Sequence, residues 1–177
     1  MSTFLRGPRV ELQPLESDHH ELLKHPRNDP AFRRSFGYRQ PWNDTRIEEF
    51  YEQSTDSDDS VNLVVVYDET PIGAVVCFNM TNTEGTLAYW LDEAARGDGL
   101  ATEAVALLVE YCFSTRRLHR LHADVFETND PSQQLLERLG FTHEGTKREA
   151  HFWDGEFHDI YGYGLLASEW TADILDG

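Results

Sequence analysis

The sequence has few cysteines and no long hydrophobic segment. Only Cys77 and Cys112 occur in 177 residues, both inside apolar stretches, which predicts two buried, reduced thiols rather than a disulfide framework. No apolar run approaches the roughly 20 residues of a membrane-spanning helix. The opening residues MSTFLRGPRVEL lack the apolar segment of a secretory signal. We therefore expect a cytoplasmic protein with no membrane partner.

Basic residues are also scarce. Fifteen Lys and Arg face 32 Asp and Glu, a formal net charge of −17, and Lys24 and Lys147 are the only lysines. Such a surface repels the phosphates of nucleic acids and anionic lipids, so no nucleic-acid partner is expected. Two interpretations of the charge remain open: an acidic, halophile-like surface, or attraction of a cationic substrate. The first is favoured because at about 1 M salt a Debye length near 3 Å leaves little long-range steering.

The hydrophobic pattern predicts one domain with a mixed sheet, of α+β class with α/β-type layering. The length suits a single core, and hairpins combine with one β-α-β crossover. We expect the seven-residue polar stretch 54–60 to be an exposed loop, and Pro26 and Arg116–Arg117 to mark the ends of two helices. Predicted strands cover residues 9–13, 61–67, 72–78, 86–91, 121–126, 142–152 and 157–166; predicted helices cover 17–25, 45–53, 101–117 and 132–139, with a short one near 168.

The segment 90–102 carries the most specific signal. A strand ends, Gly97 and Gly99 follow, and a strongly amphipathic helix begins. Glycines in this position allow backbone N–H groups to converge on a phosphate at the helix N-terminus; a simple tight turn is the alternative. The dinucleotide fingerprint fails at Thr102, and the Gly-Lys-Ser/Thr ending of a Walker loop is absent.

Four segments together resemble the GNAT N-acetyltransferases. Arg96-Gly-Asp-Gly-Leu-Ala101 is similar to the R-x-x-G-x-G/A loop of that family, and Asn129-Asp-Pro-Ser132 with the downstream Leu-Gly-Phe141 is similar to its N-x-x-S…L-G-F segment. The opening residues 9–15 and the closing stretch 145–161 resemble the branch of ribosomal-protein-alanine N-acetyltransferases. The resemblance covers residues 8–170 and implies a single N-acetyltransferase domain, with a GNAT-like, mostly antiparallel central sheet of about seven strands flanked by helices.

The resemblance implies an acyl-CoA-dependent N-acetyltransferase that uses acetyl-CoA as co-substrate and no metal. The loop would hold the pyrophosphate, and Trp90 and Leu91 would pair their backbone with the pantetheine arm. Asn129 would bond the pantetheine or lie near the thioester, and Ser132 would lie near the thioester sulfur. Asp98 stands where relatives often carry Lys, Arg or Gln. We interpret it as part of the acidic surface bias, but unless it points to solvent or is screened, its carboxylate would weaken cofactor binding in low salt. The implied cofactor-binding residues are Trp90, Leu91, Arg96, Gly97, Asp98, Gly99, Leu100, Ala101, Thr102, Asn129 and Ser132.

Proton transfer is less clearly assigned. In many GNAT enzymes a Tyr seven residues after the Asn acts as the general acid, but in this sequence that position is Leu136. In the ribosomal-protein branch that the sequence resembles, the Ser of N-x-x-S is a candidate instead. The resemblance therefore implies Ser132 as the acid for the departing thiolate, with an N-cap role as the alternative. His151 is the first candidate base, because an imidazole can take the ammonium proton near neutral pH. Glu84 is the second, and His122 is interpreted as structural; loss of the proton to water without a dedicated base also remains open.

The acceptor is expected to be a primary amine attacked directly in a ternary complex. A peptide N-terminus is the first hypothesis, and a small cationic amine such as a polyamine or aminoglycoside is the second. A catalytically silent CoA-binding sensor and a binder of another nucleotide are the rival functions. A homodimer is compatible with the sequence but nothing requires it. Phe36, Tyr38, Trp42 and Trp153 are candidate acceptor-pocket residues, with ordinary core packing as the alternative for each.

Overall fold

A computed structural model describes residues 2–175, which build one sheet with helices on both faces. Three short 3-10 turns, at Ser17–His19, Glu93–Ala95 and Ala172–Leu175, complete the regular structure. The strands are β1 (Leu5–Arg6), β2 (Val10–Pro14), β3 (Val61–Tyr67), β4 (Thr70–Phe78), β5 (Glu84–Leu91), β6 (Arg120–Phe126), β7 (Thr142–Trp153) and β8 (Glu156–Leu166), and the helices are α1 (His20–Asn28), α2 (Pro30–Phe36), α3 (Asp44–Thr55), α4 (Leu100–Ser114) and α5 (Asp130–Arg138).

The sheet is mixed and mostly antiparallel, as predicted. Its order is β1-β2-β3-β4-β5-β6-β8-β7, and only β5 and β6 run parallel. Among the described residues the strands number eight rather than about seven. The additional strand is the two-residue β1, which pairs Leu5 with Leu12 of β2 and is too short to show a hydrophobic period.

Strands β5 and β6 separate along their length. Their ladder joins Glu84–Thr86 to Arg120–His122 and goes no further, although β5 continues to Leu91 and β6 to Phe126. Beyond the ladder, each strand keeps its partner on the other side, β4 and β8 respectively. A V-shaped gap therefore opens in the middle of the sheet, and its two edges have backbone groups free for another extended chain.

Alternation along β5 and β6 divides the core between the two faces of the sheet. Leu87, Leu91, Leu121 and Val125 belong to the cluster that packs with α4. Trp90 points the other way, into the aromatic cluster made by α1, α2 and α3. The gap in the sheet is thus bounded by α4 and α5 on one face and by α2 on the other.

Two helix ends and one whole helix differ clearly from the sequence prediction. Pro26 does not end α1, which continues to Asn28 with this proline in its last turn. Helix α2 was not predicted; Asp29 caps it by accepting a hydrogen bond from the Phe32 N–H at 3.0 Å, and Gly37 ends it with φ +70°. Helix α4 ends at Ser114, so the prediction that Arg116 and Arg117 lie in its last turn is wrong.

Both cysteines are free and buried, as predicted. The side-chain hydrogen bond with Cys77, together with burial, raises the pKa of the Cys112 thiol, so this thiol stays protonated near neutral pH. Within residues 2–175 no helix is both long and apolar enough to cross a membrane.

Candidate active site

Six consecutive backbone N–H groups, those of residues 97–102, have no hydrogen-bond acceptor within residues 2–175. The first helical bond of α4 runs from the Glu103 N–H to the Gly99 carbonyl, at 3.1 Å. Positive φ angles at Gly97 (+100°) and Gly99 (+78°) turn this backbone into the helix. Free donors at the start of a helix form a binding site for an anion, so the phosphate-binding interpretation of the loop is favoured over a simple turn.

An ion pair from the N-terminal region holds this loop in place. The Arg9 guanidinium donates to the Asp98 carbonyl at 2.7 Å and to the Glu103 carboxylate at 2.9 Å. The other carboxylate oxygen of Glu103 accepts from the backbone N–H groups of Arg9 and Val10 at 2.7 and 2.9 Å. Glu103 is only 5% exposed, so one buried carboxylate ties β2 to the first turn of α4.

Sequence reasoning missed Arg9 and Glu103 as site residues. The one available signal is that Glu103 interrupts the buried, mostly apolar first half of α4. Asp98, by contrast, is exposed, and only its carbonyl oxygen is used by Arg9. The expected weakening of cofactor binding by this carboxylate in low salt stays a prediction.

The end of β5 leads directly into the loop. Leu91 pairs with Gly73 of β4, and its carbonyl accepts a hydrogen bond from Arg96 Nε at 3.0 Å. The Trp90 side chain is buried against the ring of Phe32 at 5.4 Å between centroids. Trp90 and Leu91 therefore lie at the open end of the V-shaped gap, where their backbone was predicted to meet the pantetheine arm.

Ser132 faces a tyrosine rather than capping its helix. The cap of α5 is Asn129, whose side-chain oxygen accepts from the Ser132 N–H at 3.4 Å. The Ser132 hydroxyl lies 2.7 Å from the Tyr89 hydroxyl on β5. Burial is the main cause that raises the pKa of Tyr89 to about 12, so its phenol keeps its proton at neutral pH. Tyr89, absent from the predicted site, is identified by this contact alone.

His151 occupies the other face of the sheet at the end of β6. Its imidazole stacks on Phe126 with 3.9 Å between centroids and lies against Gly37, where a Cβ atom would come within 3.1 Å of His151 Cε1. The ring is 9% exposed and its Nε2 has no hydrogen-bond partner among the described residues. Burial, followed by the charges of Arg39 and His158, lowers the pKa of His151 below its ordinary value, which keeps the imidazole neutral.

Ser132 and His151 both lie near the end of β6, on opposite faces of the sheet, whereas Glu84 lies far from both. The Asn129 N–H donates to the carbonyl of Phe126, the residue on which His151 stacks, so α5 starts beside that ring. Glu84 begins β5, five residues before Tyr89, which is about 17 Å along an extended strand. Its carboxylate lies 3.0 Å from His122 Nε2, a contact that lowers the pKa of Glu84.

The candidate pocket aromatics divide between core and surface. Trp42 is buried, and its ring centroid lies 5.4 Å from that of Tyr38. This agrees with the alternative that Trp42 is an ordinary core residue. Phe36, Tyr38 and Trp153 are partly exposed, and Trp153 lies 6.2 Å from His151. No group of three or more potential metal ligands occurs in the described part of the chain.

Comparison with known proteins identifies the class. The acetyltransferase (GNAT) domain model matches residues 9–142. "Probable N-acetyltransferase YjcK" of Bacillus subtilis is 30% identical over 175 residues, covering 92% of this chain and 97% of that protein. The [ribosomal protein uS5]-alanine N-acetyltransferase of Escherichia coli is 33% identical over 85 residues, covering 48% of this chain and 44% of that enzyme.

The fold agrees with this class. The crystal structure of spermidine N-acetyltransferase from Vibrio cholerae, in complex with CoA and spermine, superposes with a TM-score of 0.85 at 21% identity, covering 91% of this chain and 97% of that one. The chain belongs to the GNAT acetyltransferase family and is an acyl-CoA-dependent N-acetyltransferase. The resemblance to the ribosomal-protein-alanine branch is confirmed as well.

Proposed function

We propose that the protein transfers an acetyl group from acetyl-CoA to the α-amine of a protein N-terminus. The observation that carries the proposal is the run of free N–H groups at residues 97–102, at the open end of the gap between β5 and β6. A pyrophosphate supplies the acceptors and charge that such a run requires. The CoA in the Vibrio cholerae structure supports this co-substrate, and the name of the Escherichia coli relative supports a protein acceptor.

The reaction is a direct displacement in a ternary complex. The amine nitrogen attacks the thioester carbonyl carbon, a C–N bond forms, and the C–S bond breaks as the tetrahedral oxyanion collapses. Only the neutral amine is nucleophilic. An α-amine, with a pKa of about 7.7–8.0, loses its proton more readily near pH 7 than a lysine-type amine, whose pKa is about 10.4. This difference favours a protein N-terminus over an alkyl amine.

We assign the proton-accepting role to His151. Its pKa is lowered, and its buried Nε2 has no partner within residues 2–175. The ring is therefore neutral, and it would accept the ammonium proton once acceptor binding uncovers this nitrogen. The proton then passes to solvent. The carboxylate of Glu84 is held by His122 at the far end of β5, which supports ranking it below His151.

We assign stabilisation of the leaving thiolate to Ser132, with Tyr89 as its positioning residue. A phenol with a pKa near 12 retains the proton that it can donate to Ser132 Oγ at 2.7 Å. The proton of the serine hydroxyl is then free to point toward the sulfur. Because the thiolate leaves as an anion, a hydrogen bond from Ser132 strengthens as the C–S bond breaks.

Thiol release tests the proposal. The protein is incubated with acetyl-CoA and a panel of N-terminal peptides, polyamines and aminoglycosides in high salt, and free CoA is measured; we expect turnover with peptides. Calorimetry with CoA and acetyl-CoA in molar KCl tests binding separately. Binding without turnover would indicate a CoA sensor, displacement of CoA by ATP would indicate another nucleotide site, and turnover of polyamines alone would overturn the peptide assignment.

A further inference from the structure

The segment 30–43, here called the basic arm, has a charge opposite to that of the rest of the chain. It consists of α2 and the loop that follows it, and it contains Arg33, Arg34 and Arg39 but no Asp or Glu. Outside the arm the chain carries a formal net charge of −20. An isolated positive segment on so acidic a protein is unexpected if charge serves only to hydrate the surface.

The basic arm lies against the candidate base. Gly37 contacts the imidazole of His151. The Arg39 guanidinium donates to the carbonyl of Phe152, the next residue on β7, at 3.1 Å, and its charge acts on His151. Arg33 Nε donates to the Tyr38 carbonyl at 3.2 Å. No described carboxylate lies within 4 Å of the three arginines, so their positive charges are not compensated by salt bridges.

The other wall of the same corner is acidic. The β7–β8 hairpin carries exposed Asp154 and Glu156 at its tip, and Glu127 lies 2.9 Å from His158, the residue paired with His151. The corner therefore combines carboxylates, on the hairpin and at Glu127, with the guanidinium groups of the basic arm, which Arg39 joins to the hairpin. An acceptor with a positive end and a negative segment fits both walls, whereas a polyamine is positive along its whole length.

We infer, on the basis of the proposed function, that the preferred acceptor is a peptide whose N-terminal amine is followed within a few residues by Asp or Glu. Residues two to four positions along an extended peptide lie roughly 7–14 Å from the amine. This length allows their carboxylates to reach Arg34 and Arg39, both of which are exposed. The basic arm thus selects the acceptor by charge.

The expected gain in kcat/KM follows from the exposure of the ion pairs between the peptide carboxylates and the arginines of the basic arm. Exposed ion pairs give gains of about 1.5- to 5-fold in an equilibrium constant per pair, because each is weakened by water and by the ordering of long side chains. Two or three acidic residues should then raise kcat/KM by about tenfold over a neutral sequence. Long-range repulsion by the acidic remainder of the protein is weak at physiological salt, where the Debye length is about 8 Å.

The test compares three peptides that share their first two residues and carry Glu, Gln or Lys at positions 3–5, with spermidine as a fourth acceptor. Thiol release at about 0.15 M salt, where the Debye length is about 8 Å, gives kcat/KM for each. We expect the order Glu, Gln, Lys, with spermidine poorer than the Glu peptide. The R34E/R39E variant should reverse the order, and the matched charge reversal R117E/R138E, on exposed arginines outside the arm, should preserve it.

The outcomes separate this inference from the proposed function. Equal rates for the three peptides, or a preference for Lys or spermidine, would overturn the inference and leave acetyl transfer standing. Absence of thiol release with every acceptor would contradict the proposed function itself. If calorimetry shows that the R34E/R39E variant does not bind CoA, the order of kcat/KM for the three peptides, measured with the unaltered protein, decides the inference.

Discussion

The imidazole of His151 is buried and lies near the guanidinium of Arg39, and burial first and this charge second lower the pKa of the candidate base. Burial disfavours the charged imidazolium, and a neighbouring cation disfavours it further. The ring is therefore a base over a wider pH range than an exposed histidine, whose pKa is about 6.5. Gly37 permits this packing, since a side chain there would collide with the ring.

Replacement of His151 by Gln should lower kcat/KM by about 100-fold near pH 7, the low end for general base catalysis. The difference in kcat/KM between this variant and the unaltered enzyme should narrow toward pH 9, where the acceptor amine loses its proton without a base. In the unaltered enzyme the acidic limb should lie below pH 6.5, because the pKa of His151 is lowered. The pH profile of peptide acetylation measures both effects.

Glu84→Gln is the matched control for this experiment. We expect it to retain the pH profile, since Glu84 lies at the far end of β5 and is bound to His122. Unchanged rates in His151→Gln, with a loss in Glu84→Gln, would reverse the order of the two candidate bases. If neither variant loses activity, direct transfer of the ammonium proton to water would be favoured.

Tyr89 and Ser132 should act as a unit. Ser132→Ala should lower kcat by about 100-fold, in the range for loss of a general acid, and Tyr89→Phe by about 5- to 30-fold, equivalent to about 1–2 kcal/mol for one hydrogen bond. Because the Tyr89 effect passes through Ser132 Oγ, the double variant should be little worse than Ser132→Ala alone. Thiol-release assays at saturating substrate measure kcat for the two single variants and for the double variant.

An additive double variant would contradict this coupling. A thermal melt controls for folding, since Tyr89 is largely buried. A change in KM for acetyl-CoA with kcat unchanged would assign Ser132 to cofactor binding rather than to thiolate stabilisation.

At the scale of elements, the binding loop depends on a strand that is distant in sequence. Arg9 of the segment preceding β2 holds the Asp98 carbonyl and the Glu103 carboxylate. Without Arg9, the buried carboxylate of Glu103 would present an uncompensated negative charge next to the free N–H groups of residues 97–102. The ion pair therefore supports both the shape of the loop and its affinity for an anion.

Arg9→Met should raise the Kd for CoA by about tenfold and destabilise the fold by about 1.5–3 kcal/mol, typical of a lost hydrogen bond to a charged group. The partial exposure of Arg9, 47% of its side chain, places the effect below that of a fully buried pair. Calorimetric titration and chemical denaturation measure the two changes. Arg6→Met, which removes an exposed pair with Glu11, is the control; equal effects from both variants would contradict the assignment.

Local signals explain which elements were predictable. Strands β3 and β4 are largely apolar runs and helix α4 is a long, mostly apolar helix, and all three appear as predicted, apart from their ends. Helix α2 was missed because its seven residues begin with Pro30, include two arginines and are followed by Gly37, a composition that resembles a loop. The prediction from Pro26 was wrong because α1 continues past this proline to Asn28, although a proline inside a helix removes one backbone hydrogen bond.

At the scale of the whole molecule, the net charge of −17 is a source of self-repulsion. Most acidic side chains have no basic partner available, since acids outnumber bases by about two to one. Repulsion between like charges disfavours the compact state, and salt shortens its range from about 30 Å at 0.01 M to about 3 Å at 1 M.

The melting temperature should therefore rise as KCl increases from low concentration to about 1 M, the range over which charge repulsion becomes screened. Differential scanning calorimetry across a KCl series measures this directly. An uncharged cosolute at matched osmolarity controls for general exclusion effects. A melting temperature that stays constant or falls with salt would contradict the prediction of a halophile-like surface.

The sequence by itself determined the class of the fold and the family and predicted the anion-binding loop, because these depend on periodicity, glycines and motif spacing, which are local. It placed Ser132 and His151 among the candidates for the same reason. Only the tertiary structure decided that Ser132 faces Tyr89, that Arg9 supports the loop, and that the basic arm adjoins His151. Each of these contacts joins residues more than 40 positions apart, and only the order of the strands in the sheet brings them together.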